Sequence, residues 1–529
     1  MLKFLVFENG QPAKRWSVRN AYLIGSDHSA MRGDVSFKDG MVICDKREAG
    51  PASLALQYPV GNCGELTVQT TLLPDREEPY VLSLELARHR LMMLYNKMED
   101  WSMFDVAEDH PASKRLELAR KLFIEALSYL DVDNTKCDKF ASDCLFVSVD
   151  GSEELALSHA ELLLNRRKTS GSIPRFPIGC GVVLTQSHER VRTALLNNFD
   201  FAVMPTPWRE LAPEEGDYRW QRLDNWIEWS RQSRLPVVAG PVVSFDSSVL
   251  PDWVYIWEHD YDTVRDLLYE HTERVITRYK DVVKLWNVVS GLHINSHFQF
   301  SFDQLLDLTR MATLLTKEIQ PSAKVLIEIR QPFGEYYAAN QRSIPPLMYA
   351  DLLIQGAVGF DGLAIKLLMG QSAPGQFARD LMQVSNLLDQ FAGFNKPIYL
   401  TVGVPSDEVT SMMLLSSDPA EPVDPACGHW RKAWSSTVQG RWLEAVLHVA
   451  MGKPYVEAVA WHEVIDHPEI ELPLSGLLTE DLAPKPAFRH MAAFRKALSE
   501  KQPMKIAQMG GKDGEKEKKS KSAATGAQT

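Results

Sequence analysis

The 529-residue chain has no apolar run approaching the ~20 residues that a membrane-spanning helix needs. Its six cysteines are scattered without a Cys-x-x-Cys pair or a histidine cluster, so neither a zinc site nor a disulfide framework is indicated. No Gly-rich phosphate-binding turn follows an apolar segment. Asp and Glu outnumber Lys and Arg by 69 to 57, which disfavours nucleic-acid binding. We therefore expect no membrane segment, no metal, no bound cofactor and no nucleic-acid partner.

The first third of the chain has two different hydrophobic patterns. Residues 1–83 are short strand-like runs punctuated by Gly, Pro and Asp, which predicts a small antiparallel β-sandwich or barrel. The apolar start is broken by Glu8 and lacks a small-residue cleavage site, so it predicts a first strand and not a signal peptide. With reduced thiols, this favours a cytoplasmic protein. Residues 84–170 have helical spacing and predict a helical segment, whose last helix we expect to begin at an N-cap, Ser152.

Residues 171–500 repeat a pattern of strand, loop and helix. Eight apolar strand candidates, among them LWNVV, KVLIEI and PIYLTVGV, alternate with amphipathic helices. Eight parallel strands over about 320 residues predict an α/β fold, a (β/α)8 (TIM) barrel. An open doubly wound sheet is the alternative, and the missing Gly-rich turn disfavours it. Residues 501–529 are low in complexity and predict a disordered charged tail.

Several motifs of the barrel segment resemble glycoside hydrolase family 10, the xylanase family. WRELAPEEGDYRWQRLDNWIEW at 208–229 resembles the family's tryptophan motif, and LPVVAGPVVSFDSSVLPDWV at 235–254 its third strand. LWNVVSG is similar to the strand that carries the acid/base, and PIYLTVGV to the strand of the nucleophile. GLLTEDLAPKPAFRHM at 476–491 resembles the closing segment. The resemblance extends over about residues 175–498 and implies the same barrel. The N-terminal part resembles a carbohydrate-binding β-sandwich in fold only.

The resemblance implies that both catalytic carboxylates are missing. A retaining glycosidase of this kind uses one carboxylic acid to protonate the leaving oxygen and one carboxylate to attack the anomeric carbon. The acid/base position, at the end of the fourth strand, is Gly291, and the Asn before it is replaced by Ser290. The nucleophile position after Thr401, on the seventh strand, is Val402. Neither side chain can transfer a proton or attack carbon.

The family's sugar-binding groups are also replaced. By the resemblance, the family's Glu-Asn pair corresponds to Val203 and Met204, its Lys to Pro207, and its third-strand His to Pro241. Its Trp-His pair corresponds to Phe245 and Asp246, and its sixth-strand Gln and His to Lys366 and Leu368. A xylose chain bound as in the family would leave hydroxyls unpaired against the apolar replacements, at about 1–3 kcal/mol each.

New polar residues occur where the strands of such a barrel end. Glu328, Asp246 and Glu463 are candidates for relocated catalytic carboxylates. Candidates for substrate binding are Trp461, Lys366, His462 and Trp208. Glu328 and Lys366 lie on adjacent predicted strands, so the alternative is that they form a buried ion pair with a purely structural role. His293 and His297 are expected to be loop or core residues, and Trp208 fits packing as well as binding.

Three functions remain open from the sequence. The first, favoured here, is a catalytically degenerate family member that binds a glycan or a partner at the mouth of the barrel. The second is an active O-glycosyl hydrolase, xylanase-like, with relocated carboxylates. The third is a scaffold that recruits partners. The sequence does not specify the sugar or the oligomeric state.

Overall fold

The computed structural model describes residues 1–103, 109–409, 426–500 and 502–506. The predicted tail at 501–529 therefore lies outside the described residues, apart from 502–506. Among the described residues, no helix has both the length and the apolar character to cross a bilayer.

The N-terminal region is rich in β-structure, as predicted. Its strands are β1 (Leu2–Leu5), β2 (Phe7–Glu8), β3 (Gln11–Pro12), β4 (Tyr22–Ile24), β5 (Ala30–Met31), β6 (Gly33–Lys38), β7 (Met41–Lys46), β8 (Ser53–Pro59), β9 (Gly64–Gln69) and β10 (Tyr80–Val81). One sheet has the order β10-β1-β7-β6, and β2 pairs with β3. A further sheet, β9-β8-β4-β5, gains an edge strand at β9 from residues 429–430 of the barrel segment. This edge strand ties the N-terminal region to the barrel.

Three helices follow: α1 (Leu82–Asp100), α2 (Pro111–Tyr129) and α3 (Asn134–Ser170). The expected helix start at Ser152 is wrong, because α3 is one continuous helix of 37 residues whose N-cap is Asp133. Ser152 lies inside it, where its hydroxyl donates to the Val149 carbonyl at 2.8 Å. A serine whose hydroxyl donates to the carbonyl of the preceding turn is compatible with a helix interior, so residue type alone did not distinguish an N-cap from an interior position.

With one exception, the remaining strands form the predicted eight-stranded parallel barrel. They are β11 (Ile178–Gly181), β12 (Phe201–Met204), β13 (Val237–Ala239), β14 (Val243–Ser244), β15 (Leu285–Ser290), β16 (Lys324–Arg330), β17 (Gly362–Leu368), β18 (Ile398–Gly403), β19 (His429–Trp430) and β20 (Val456–Trp461). β13 and β14 are two halves of the third strand, separated by the cis Gly240–Pro241 bond, and β19 belongs to the N-terminal sheet. Parallel pairing runs from β11 through β12, β13, β15, β16, β17, β18 and β20 back to β11. The sheet is thus closed, and the open-sheet alternative is wrong.

Helices surround the barrel: α4 (Glu189–Asn198), α5 (Trp208–Leu211), α6 (Gln221–Ser233), α7 (Tyr261–Tyr279), α8 (Phe302–Ile319), α9 (Pro346–Gln355), α10 (Leu381–Ala392), α11 (Ser436–Gly452) and α12 (Pro486–Ser499). Alternate strand residues point inward and fill the barrel centre with Phe201, Val238, Leu326, Ala364, Ala458 and Ala460. Since the centre is packed, a ligand can enter only at an end.

The helical segment is fixed to the barrel by buried polar contacts. Arg90 of α1 donates to Asp380, which caps the N-terminus of α10. Arg167, near the end of α3, donates to the Met451 carbonyl at 2.9 Å. Glu153 of α3 accepts hydrogen bonds from the Leu381 backbone and from the Trp430 indole. The N-terminal parts and the barrel therefore pack as one unit.

Candidate functional site in the mouth of the barrel

A cavity of about 840 Å³ opens at the carboxyl ends of the barrel strands. This is the end at which barrels of this type place their ligands. Its polar lining residues are Thr185, Glu210, Asp246, Ser247, Ser248, Asn287, Ser290, Glu328, Arg330, Gln331, Lys366, Gln371, Ser372, Gln376, Thr401, His462, Glu463, His467, Glu469 and Glu471. Within the described ranges, no group of three or more His, Cys, Asp or Glu side chains is arranged to hold a metal ion.

Glu328 lies at the floor of this cavity and is 7% exposed. The Asn287 amide donates to its carboxylate at 2.9 Å, and the Ser290 hydroxyl donates at 2.6 Å. Both donors lie on β15, three residues apart. They reach the same carboxylate because the register of β15 against β16 shifts between Asn287 and Val289. The strand that resembles the acid/base strand thus presents hydrogen-bond donors to a carboxylate on its neighbour.

The expected Glu328–Lys366 ion pair is wrong. Lys366 pairs with Glu471, with 2.5 Å between Nζ and Oε2. The other oxygen of Glu471 lies 2.6 Å from Nη2 of Arg330, whose Nη1 contacts Asp246. Lys366 and Arg330 are register partners on β17 and β16, so one carboxylate from a distant loop can bridge them. The pairing depends on the loop after β20, which adjacent-strand reasoning could not foresee.

The electrostatics of this network follow from its pairing. Burial alone would raise the pKa of Glu471, but Arg330 and then Lys366 outweigh burial and hold that pKa well below its usual range. Burial would also raise the pKa of Asp246, but the charge of Arg330 outweighs burial and lowers that pKa. Both carboxylates are therefore charged at neutral pH and neutralise the two cations.

Two histidines and Glu463 form the next part of the wall. His467 contacts Glu463 at 2.5 Å between Nε2 and Oε2, while His462 lies 3.4 Å from the other oxygen. Burial, and then Lys366, lower the pKa of His462. Burial would also lower the pKa of His467, but the hydrogen bond to Glu463 outweighs it and raises that pKa. The three side chains thus form a polar cluster in which Glu463 already has a partner.

Four buried polar atoms of lining residues have no hydrogen-bond partner. They are Asn287 Oδ1, Gln331 Oε1, Gln376 Oε1 and His462 Nε2. Asn287 and Gln376 are only 6% and 8% exposed. Unpaired buried polar atoms cost about 1–3 kcal/mol each, and hydrogen bonds from water or from a polar ligand in the cavity would remove this cost.

The two positions that the sequence resemblance assigns to catalytic carboxylates, Gly291 and Val402, do not line the cavity. Gly291 follows β15 with φ of +66°, and a Cβ atom there would lie 3.0 Å from Cδ of Arg330. Val402 is fully buried in the main hydrophobic core, while its neighbour Thr401 lines the cavity. The chain around both positions is fitted to small or apolar side chains.

The tryptophan candidates are held in the core. Trp461 borders the cavity but is fully buried, and its indole donates to the Ser475 carbonyl at 2.8 Å. Trp208 is 2% exposed and stacks on His271 with ring centroids 4.4 Å apart. His293 is also buried, and its ring contacts the Arg330 carbonyl at 3.0 Å. Trp208 thus occupies a packing position away from the cavity lining.

The replaced sugar-binding positions divide into two groups. Val203, Pro207 and Pro241 line the cavity with apolar surface. Met204, Leu368 and Phe245 are buried in packing positions, with Phe245 against Phe298 at 4.3 Å between ring centroids. The paired charges of Arg330, Lys366 and Glu471 lie on the side of the mouth formed by β16, β17 and the loop after β20.

Sequence reasoning missed Arg330 and Glu471. Arg330 ends KVLIEIR, two residues after Glu328, and alternation along a strand places residues two apart on the same face. That signal could have identified Arg330. Glu471 lies in HPEIELP, a loop without periodicity, and no sequence signal assigned it to the mouth.

Two comparisons by sequence concern the barrel. Residues 185–308 match the family model "Glycosyl hydrolase family 10". Endo-1,4-beta-xylanase A of Xylanibacter ruminicola is 24% identical over 162 residues, which are 29% of this chain and 41% of that protein. The chain thus spans about two fifths of the length of the curated relative that it matches.

Solved structures with a similar fold include xylanases. Xylanase 10B from Thermotoga maritima is 16% identical, with a TM-score of 0.45 over 64% of this chain and 98% of that one. An endo-1,4-beta-xylanase from Caldicellulosiruptor owensensis is 17% identical, with a TM-score of 0.44 over 60% and 96%. The closed barrel itself is established by its strand pairing. The part of the barrel at residues 185–308 is thus similar in sequence to the glycosyl hydrolase family 10 model.

Proposed function

We propose that this protein is a catalytically degenerate relative of the family 10 xylanases that binds a glycan in the mouth of the barrel without hydrolysing it. The observation that carries the proposal is the set of unpaired polar atoms of Asn287, Gln331, Gln376 and His462 in one cavity. Sugar hydroxyls donate and accept hydrogen bonds and could satisfy all four. The family match at residues 185–308 supports a carbohydrate as the ligand class.

The state of the carboxylates supports binding without catalysis. Hydrolysis with retention needs a proton donor and a free nucleophile about 5–5.5 Å apart. Asp246 and Glu471 are held in charge pairs with Arg330, and Glu463 contacts His467. Gly291 and Val402 supply no carboxylate. A nucleophile already bound to a cation attacks poorly, so these residues are better suited to hold a ligand than to cleave it.

The test measures hydrolysis and binding on the same purified chain. We expect no hydrolysis of xylan or of an aryl xyloside above a blank, and saturable binding of a glycan found by screening oligosaccharides. Gln376→Ala should weaken that binding by about tenfold, the equivalent of one lost hydrogen bond to a buried group. Gln355→Ala, on the exposed surface of α9, is the matched control and should have no effect. If no oligosaccharide binds, a scaffold role replaces this proposal.

One observation favours a second candidate, a hydrolase with relocated carboxylates. Glu328 lines the cavity and has hydrogen-bond donors but no ion-pair partner among the described residues. If a screen of varied glycosides finds turnover and Glu328→Gln abolishes it, the second candidate is correct. Turnover that persists in Glu328→Gln would exclude Glu328 as the catalytic group.

A further inference from the structure

Arg330 and Lys366 form a pair of cations at the floor of the cavity. They face each other in register on adjacent strands, β16 and β17. Their side chains are 11% and 16% exposed, so both charges are largely removed from water. Two desolvated cations side by side repel each other and create a strong preference for an anion between them.

In this structure the anion is the chain's own Glu471. Its two carboxylate oxygens are divided between the cations, one 2.6 Å from Arg330 and the other 2.5 Å from Lys366. Glu471 comes from the loop after β20, 105 residues from Lys366, and not from a neighbouring strand. The carboxylate thus occupies the pair in the way that a carboxylate of a bound molecule would.

The surroundings of the pair fit a sugar. His462 Nε2 lies 3.9 Å from Glu471 and 3.4 Å from Glu463, and it has no hydrogen-bond partner among the described residues. The unpaired amide oxygens of Gln331 and Gln376 belong to the same cavity. An anion alone would use the cations and leave these atoms unsatisfied, whereas a sugar ring that carries a carboxylate would use both sets.

We propose that Arg330 and Lys366 are a receptor for the carboxylate of a uronic-acid-bearing glycan, and that Glu471 is a tethered mimic that such a ligand displaces. This inference rests on the proposed glycan binding and names the class of glycan. Five other carboxylates line the cavity. Asp246, Glu328 and Glu463 have their own partners, Glu210 pairs with Arg222, and Glu469 is exposed to solvent. Because these carboxylates remain in place, the ligand can bind the cations only if Glu471 moves away, since an unmoved Glu471 would repel a second anion.

The experiment is calorimetric titration of the full chain with two probes. One is xylotriose that carries a glucuronic acid, and the other is unsubstituted xylotriose. We expect the acidic probe to bind more tightly. Glu471→Gln should increase its affinity by about tenfold or more, because both cations then lack their internal partner and a charge-assisted hydrogen bond is gained. The affinity for unsubstituted xylotriose should change little.

Two further variants locate the effect. Lys366→Met should remove the preference for the acidic probe, and Lys366→Arg should restore it. Glu480→Gln removes an exposed charge from the same segment after β20, outside the cavity lining, so it should leave both affinities unchanged. Thermal unfolding of each variant shows that it is folded.

The outcomes separate this inference from the proposed function. Equal affinity of Glu471→Gln for the two probes would overturn the uronate receptor while leaving glycan binding intact. A gain for the acidic probe that Glu480→Gln reproduces would show a general charge effect and would also overturn it. Binding of neither probe by any folded variant would reject the inference, and the wider screen would then decide the proposed function.

Discussion

At the scale of single residues, the structure restricts which side chains positions 291 and 402 can hold. Gly291 adopts a positive φ, which side-chain-bearing residues rarely tolerate, and Arg330 occupies the adjacent space. Val402 is part of the hydrophobic core. Restoring a carboxylate at either position therefore conflicts with the local backbone or with packing.

We predict that Gly291→Glu combined with Val402→Glu remains inactive on xylan. The first glutamate is strained and would meet the Arg330–Asp246–Glu471 network, where its pKa would be set by Arg330 and not by a substrate. The second would be buried in apolar surroundings at a cost of roughly a few kcal/mol of unfolding free energy. Release of nitrophenol from an aryl xyloside is the measurement.

The two single variants are the controls. If the double variant hydrolyses the aryl xyloside well above both of them, the sugar subsites are intact. The conclusion that Val203, Pro207 and Pro241 remove those subsites would then be wrong.

At the scale of helices and strands, much of the fold could be predicted. All eight barrel strands were expected from their apolar runs and the helices between them, since buried parallel strands read as continuous hydrophobic segments. The interior start proposed at Ser152 failed, because α3 continues through it. The site was less predictable. Glu328, Asp246, Lys366, His462 and Glu463 do meet in the mouth, but their partners come from Arg330 and from the irregular loop of Glu471.

One ion pair couples a helix of the N-terminal segment to a helix of the barrel. Arg90 of α1 and Asp380 at the N-cap of α10 are almost fully buried, with side chains 2% and 0% exposed. Arg90→Met should lower the free energy of unfolding by roughly 3–5 kcal/mol, because Asp380 would remain as a buried charge without its cation. Urea denaturation followed by tryptophan fluorescence measures the change.

Arg120→Met on the neighbouring helix α2 is the control. Its pair with Glu117 is 49% exposed on both sides, so its loss should change the free energy of unfolding little. Equal losses in the two variants would show that the loss of any arginine, and not of the buried pair, determines the effect.

At the scale of the whole molecule, buried carboxylates join the parts of the chain into one folded unit. Asp380 accepts from Arg90, and Asp150 of α3 pairs with Arg431, which follows β19. Burial would raise the pKa of each carboxyl, but Arg90 and Arg431 respectively outweigh it and lower those pKa values. The ion pairs that join the helical segment to the barrel are therefore sensitive to acid.

The sign of that sensitivity follows from linkage. The pKa of each carboxyl is lower in the folded chain than the value of about 3.9 for an unfolded aspartate, so protons bind first to the unfolded chain. The stabilisation is complete above about pH 5 and is lost as the pH falls through the unfolded and then the folded pKa. We predict that the free energy of unfolding falls steeply below about pH 4. In Asp380→Asn it should be lower at pH 7 but should depend less on pH over the acid range.

Urea denaturation between about pH 7 and pH 2.5 measures this dependence. Glu228→Gln is the control, because Glu228 is exposed on α6 and its pKa is lowered to about 2 by hydrogen bonds from Arg231 and Gln232. Water and salt screen such a surface pair, so removing it should alter the acid loss little, and less still at high ionic strength. If Glu228→Gln reduces the pH dependence of the free energy of unfolding as much as Asp380→Asn does, surface charge governs the acid stability of the molecule, and the ion pairs of Asp380 and Asp150 do not.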